Sequence, residues 1–281
     1  MFIMNKKLLL LILLLVPASC LPKMLFMCPD VFTVQNKRAY QEDRISFGDT
    51  IEFAIGLYDG HGGDQASDYL QNNLHHLYNE QVDGTIEQKM QRAFALAEEH
   101  CLTNFSSGST AITFGIDEND VLHCSWVGDS RAVLEGNGKV VFATEDHKPD
   151  ALQEKQRIEA AGGNVYFHGV PRVNGLAVSR SIGDRRVKAK GQGQIIAVPE
   201  YKSYQLTKEN NFFVMASDGL WDVMTNEEVV EEIKRLLPLV HGNPGMIAHC
   251  LTELAMQKGS QDNITISILF FAWDDVVDTE N

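Results

Sequence analysis

Acidic residues stand at the ends of the most apolar runs of this chain. Asp59 follows the run 53–58, Asp129 follows Trp126-Val-Gly128, and Asp218 follows the run 212–217. Asp262 precedes Asn263-Ile-Thr-Ile266, and Glu42 and Asp43 precede Arg44-Ile-Ser-Phe47. If these runs are central strands, their ends lie close together and the carboxylates converge. Clustered carboxylates repel and resist ionisation unless cations neutralise them. Oxygen donors without cysteine or a histidine pair select hard ions such as magnesium or manganese. Two such ions lower the pKa of a shared water and neutralise phosphate oxygens during in-line attack. Glycines beside the acids (Gly60, Gly62, Gly63, Gly128, Gly219) permit close backbone approach. One Asp-Gly at a strand end is ordinary turn chemistry. Its recurrence, together with His61 and Arg38, carries the reading.

The elements that must position these groups follow from hydrophobic period and turn residues. The pattern predicts strands over 51–58, 110–116, 121–127, 212–216 and 264–271. It predicts helices over 64–79, 86–102, 150–161, 226–237 and 244–257, the third stopping at Gly162-Gly163. Gly136-Asn-Gly138 between 132–134 and 139–142 is a hairpin signal. This order is not the alternation of a doubly wound sheet. It fits a largely antiparallel α+β system with helices packed outside. No repeat or linker divides residues 30–273, so one domain is expected there.

Composition bounds the function. Across 281 residues, 24 Lys and Arg face 38 Asp and Glu, a net charge of −14, with 44% hydrophobic and 22% charged residues. That is a soluble globular composition. Its acidity disfavours nonspecific binding to nucleic acid or anionic lipid. Residues 1–19 form a signal-like segment: Lys6 and Lys7, the apolar run 8–16, then Pro17-Ala-Ser19 before Cys20. The run is short for a stable membrane span. Export or N-terminal anchoring is the expectation, with lipid on Cys20 one form of it, although Pro17 suits a lipoprotein cleavage box poorly; the alternative is a cytoplasmic protein. Cys20, Cys28, Cys101, Cys124 and Cys250 are widely spaced and read as free thiols, Cys101 and Cys124 buried. Asn104-Phe-Ser106 and Asn263-Ile-Thr265 match the glycosylation pattern, and 274–281 is an acidic tail.

The motifs, in order, resemble a known family. Arg38-Ala-Tyr-Gln-Glu-Asp43, Tyr58-Asp-Gly-His-Gly-Gly63, Gly108-Ser-Thr-Ala111, Trp126-Val-Gly-Asp-Ser-Arg-Ala132 and Asp146-His-Lys-Pro149 come first. Arg172-Val-Asn-Gly-Leu-Ala-Val-Ser-Arg180, Ile182-Gly-Asp184, Ala216-Ser-Asp-Gly-Leu-Trp-Asp222 and Ser260-Gln-Asp-Asn-Ile264 follow. Over about residues 30–272 the chain resembles the type 2C, metal-dependent Ser/Thr protein phosphatases (PPM-type). The resemblance implies a four-layer αββα sandwich, two antiparallel sheets with a dinuclear magnesium or manganese cleft between them. It implies a monomer acting on phosphoserine and phosphothreonine proteins by metal-activated water.

Residue by residue, Asp59 matches the acid that bridges both metals and Gly60 the carbonyl ligand. Asp218 and Asp262 match ligands of one metal, and Glu42 the acid beside the other. Asp43 matches the residue that positions the attacking water. Asp129, with Asp222, matches the site of a weaker third metal. Arg38 matches the arginine that grips phosphate, and its fork suits two oxygens. His61 matches the general acid for the leaving oxygen. Ser109 and Thr110 read as turn residues that bond backbone, and the runs 155–165 and 172–184 as packing at the sheet edge. Residues 185–198 match a variable flap, here short and basic (Arg185, Arg186, Lys188, Lys190), read as a solvated loop or a contact to acidic substrate segments. A partner-binding pseudoenzyme and a hydrolase of other phosphate esters are the competing readings. The presence of Asp59, Asp218 and Asp262 with Arg38 and His61 disfavours the first; the ordered motifs disfavour the second.

Overall fold

The structure is a computed structural model that describes residues 24–26, 29–50 and 52–274. The signal-like segment 1–19, Cys20 and Cys28, and the tail from 275 onward lie outside the described residues. The first sheet runs β10 (Lys139–Ala143), β9 (Arg131–Gly136), β15 (Asn210–Ala216), β16 (Ile264–Trp273); β1 (Met24–Phe26) and β2 (Asp30–Val34) both pair with β16. The second runs β14 (Glu200–Gln205), β8 (Val121–Val127), β7 (Ala111–Ile116), β4 (Phe53–Tyr58), β3 (Arg44–Thr50). Each of these pairings is antiparallel.

Alternation along the strands assigns the layers. In β15, Phe213 and Met215 join Phe114, Ile112 and Leu57 of the other sheet in a core between the sheets. Phe212, Val214 and Ala216 face outward onto α5 (Asp218–Trp221), α6 (Asn226–Leu236) and α7 (Pro244–Gln257). On the other flank, α1 (Gln65–Asn79) and α2 (Ile86–Asn104) bury Leu70, Leu74, Ala93, Phe94 and Ala97 against Phe53, Tyr58, Ala111 and Val127. Strands covered on both faces become continuous apolar runs, which is why 212–216 and 264–271 stand out in the sequence. The four-layer α+β sandwich expected above is the fold observed.

Local signals fix the boundaries. Thr85 with Gln88 and Thr225 with Glu228 form reciprocal capping boxes at the starts of α2 and α6. Asn243 caps α7 ahead of Pro244. Asn137 (φ 51°) and Gly138 (φ 79°) supply the two left-handed residues that a tight β9–β10 turn requires. The helix expected over 150–161 is α3 (Leu152–Ala160), and the strand expected from 51 begins at Phe53. Cys101 and Cys124 are buried free thiols, and Cys250 is a half-buried one. Asn263 is 4% exposed with its side chain bonded to Gln35 and Tyr40 carbonyls, so Asn263-Ile-Thr265 is structural rather than a glycan acceptor. No helix among the described residues is long and apolar enough to cross a membrane.

Candidate metal centre

The antiparallel registers carry the expected site residues to one edge of both sheets. Arg44 pairs with Tyr58, Leu57 with Ile112, and Ala111 with Val127. The start of β3, end of β4, start of β7 and end of β8 therefore lie side by side. In the other sheet Ala216 pairs with Ile266 and with Arg131, so the end of β15, start of β16 and start of β9 form the facing edge. Glu42, Asp43, Asp59, Asp129, Asp218 and Asp262 all leave the strands at that edge.

Asp43 ties the two sheets together. It is 4% exposed, and its Oδ2 accepts from Ser217 Oγ and Thr265 Oγ1, each at 2.8 Å. Its Oδ1 is buried without a partner. Burial, with repulsion from Asp262, outweighs these hydrogen bonds and pushes the Asp43 carboxyl up to about 6. Asp59 is held well above the usual carboxylate range by burial, then by repulsion from Asp43, Asp218, Asp129 and Asp262. Asp218 is raised likewise, by burial and then by Asp129 and Asp222. The backbone of Asp59 is fixed by Thr110, whose N–H donates to Asp59 O at 2.9 Å and whose Oγ1 accepts from Asp59 N–H at 3.0 Å. Ser109 Oγ also donates to that carbonyl, at 3.2 Å. Ser109 and Thr110 thus bond backbone as expected. A Cβ on Gly60 would lie 2.5 Å from Ser67 Oγ and 2.6 Å from Glu42 O, so only glycine fits. Glu42 Oε1 accepts from Gly63 N–H at 2.6 Å, and Glu42 N–H donates to Asn263 Oδ1 at 2.8 Å.

Cations line the rim. Arg38, 53% exposed on its side chain, pairs with Asp262. Burial opposes its charge, but Asp262, Asp218 and Asp59 together hold the guanidinium above its ordinary pKa. Lys148 Nζ lies 2.5 Å from Asp129 Oδ2 and 3.7 Å from Asp222 Oδ1. It stands at the place expected for a weaker third metal. The DHKP motif, Asp146–Pro149, carries this lysine, and its place at the site was not legible from that motif.

His61 is held from an unexpected direction. β5 (Gly60–His61), β6 (Gly108–Ser109) and β13 (Ile182–Gly183) form a small sheet, with β6 in the middle. The run 172–184 was expected to pack the sheet edge; its end instead enters the site. Asp184, 3% exposed, bonds His61 Nε2 at 2.8 Å through the Oδ2 that also accepts from Ser181 Oγ at 2.6 Å. Burial alone would lower the His61 pKa, but the hydrogen bond and charge of Asp184, then Asp129 and Glu42, raise it overall. A Cβ on Gly108 would collide with both Asp184 and His61, so the glycine makes room for the pair. The signal for Asp184 is in the sequence as Ile182-Gly-Asp184, but its partner lies 123 positions away.

The basic flap differs from expectation in part. Arg185–Lys188 forms the short helix α4, and Lys188 Nζ bonds Glu98 Oε1 at 2.5 Å and Ser181 O at 2.8 Å. Arg185 Nη1 donates to Thr103 O at 3.0 Å. Lys188 and Arg185 fasten the segment to α2, because a largely buried lysine needs a partner, while Arg186 and Lys190 are exposed, as a solvated loop would have them.

The donor set is carboxylate and carbonyl oxygen, with an orphaned buried oxygen on Asp43 and mutual repulsion among its members. It therefore fits hard divalent cations. Residues 32–264 match the family model described as protein phosphatase 2C. The chain belongs to the protein phosphatase 2C family. It is 37% identical over 247 residues to probable protein phosphatase 2C 45 of Oryza sativa subsp. japonica, covering 84% of each chain. It is also 37% identical over 255 residues to probable protein phosphatase 2C 52 of the same organism, covering 85% of this chain and 50% of that one. The chain thus spans half the length of that second relative. Its fold matches the crystal structure of serine-threonine phosphatase 2C from Toxoplasma gondii with a TM-score of 0.72 at 22% identity, covering 90% of this chain and 100% of that one.

Proposed function

We propose that this chain is a metal-dependent protein serine/threonine phosphatase, and that Asp59, Gly60, Asp218, Asp262 and Glu42 hold two magnesium or manganese ions. The observation that carries the reading is the group of buried, mutually repelling carboxylates at one edge of both sheets, with Arg38 at its rim. Bound divalent cations supply Lewis acidity to water and neutralise phosphate charge. The protein's own groups do the rest. Asp43, anchored by Ser217 and Thr265, keeps an unpartnered oxygen to orient the attacking water. Arg38 exchanges Asp262 for two phosphate oxygens. His61, steadied by Asp184, gives a proton to the leaving serine or threonine oxygen. Lys148 neutralises Asp129 and thereby weakens any third cation at Asp129 and Asp222.

The substrates of this reading are phosphoserine and phosphothreonine proteins, the working form a monomer, and export or anchoring proceeds through residues 1–19. N-terminal sequencing of the mature chain tests the last point. Phosphate release from a phosphoserine peptide, with manganese and with chelator, tests the activity. Release that depends on manganese and disappears in Asp59→Asn and Asp218→Asn supports the assignment; release that persists in either variant overturns it.

A further inference from the structure

A second group of metal-ligand side chains lies away from the carboxylate cleft. Asp49 near the end of β3, with His75 and His76 in the last turns of α1, offers one ligand atom each, all within 4.8 Å of one another. Helix and strand run in the same sense: Arg44 pairs with Asp68, Gln71 Nε2 donates to Ile45 O at 2.8 Å, and the histidines then reach Asp49. α1 begins beside the cleft at Gln65, so a rise of 1.5 Å per residue sets His75 about 15 Å further along the helix axis.

The buried or half-buried histidines near the sheets' polar groups have a hydrogen-bond partner. His61 has Asp184, His123 has Tyr201, and His147 accepts from Gly128 N–H. Among the described residues His75 and His76 make no side-chain hydrogen bond; they lie against each other, with ring centroids 3.8 Å apart, beside Asp49, and with Phe53 near His75. The Nδ1 of His75 is buried without a hydrogen-bond partner. A metal takes the neutral imidazole, whose unprotonated nitrogen is the ligand. Two imidazoles and a carboxylate form a borderline-soft set, suited to Zn²⁺ and poorly suited to Mg²⁺.

We propose that Asp49, His75 and His76 form a separate binding site for a divalent transition metal of the zinc class, clasping the end of α1 to β3. The test is calorimetric titration of Zn²⁺ into the full chain, free of any histidine tag, in saturating Mg²⁺ and in an Asp218→Asn background that suppresses exchange at the cleft. One Zn²⁺ equivalent is expected, bound at least tenfold more weakly after His76→Ala and after Asp49→Asn. Both replaced residues are exposed, so the fold is retained. In parallel, the ¹⁵N ring resonances of His75 and His76 should move on adding Zn²⁺. Affinity unchanged in both variants, or ring resonances that stay in place, would overturn the site.

Discussion

Replacing Asp184 by Asn isolates one interaction of the proposed mechanism. Asp184 has φ 59°, a left-handed conformation that Asn tolerates, so the backbone is kept. The amide oxygen can still accept from His61 Nε2, which bonds Asp184 at 2.8 Å in the native chain. What disappears is the charge. Hydrogen bonds to charged groups contribute about 1.5–3 kcal/mol and neutral ones about 0.5–1.5 kcal/mol, so the loss is about 1–1.5 kcal/mol. At 1.36 kcal/mol per tenfold this slows turnover about 5- to 13-fold, if the lost orientation is felt in the transition state. The slowing should be confined to poor leaving groups, because only these need a proton in the transition state. The assay compares kcat on a phosphoserine peptide with kcat on p-nitrophenyl phosphate, whose phenolate leaves unaided. A 5- to 13-fold loss on the peptide with less than about a twofold loss on the aryl ester is expected. Equal slowing on both substrates, or none on the peptide, would refute the assignment of Asp184 as a positioning residue for His61.

The remaining predictions concern the cleft. Gly60→Ala forces a Cβ against Ser67 Oγ and Glu42 O. Such overpacking costs about 1–3 kcal/mol, or roughly 2–12 °C in Tm by differential scanning fluorimetry, and an unchanged Tm would contradict the packing. Lys148→Met leaves the 3%-exposed Asp129 without its cation and should destabilise the metal-free protein by about 3–5 kcal/mol; raising Mg²⁺ should restore much of the Tm, and failure to do so would contradict a cation place at Asp129 and Asp222. In chelator, Asp43, raised to about 6, contributes stability that is full below the unfolded value of about 3.9 and lost as pH rises through 6, so the Tm gain from added Mg²⁺ should grow between pH 4.5 and 6.5. Glu154, lowered to about 2 chiefly by hydrogen bonds from Arg180 and Arg157 against its burial, acts in the opposite sense and in a lower window, contributing stability above about 4.3 that is lost as pH falls towards 2. A Mg²⁺ gain independent of pH would show that the cleft carboxylates are not the groups being neutralised.

The sequence by itself determined the layers and the identity of the cleft acids. Strands buried on both faces must be apolar throughout, so 212–216 and 264–271 declare themselves, and the acids that end them are visible at the same glance. Local periodicity likewise located α1, α2, α6 and α7, because one helix face meets one sheet. Tertiary structure decided what charge and distance make of those residues. That Lys148 and Asp129 neutralise each other, that Asp184 holds His61, and that Lys188 is tied to Glu98 depends on segments brought together by antiparallel register. No local pattern encodes such pairs, since a polar residue on a loop looks the same in sequence whether it faces water or a buried counter-charge. Only packing removes the water, and only then does the choice of partner carry a large energy.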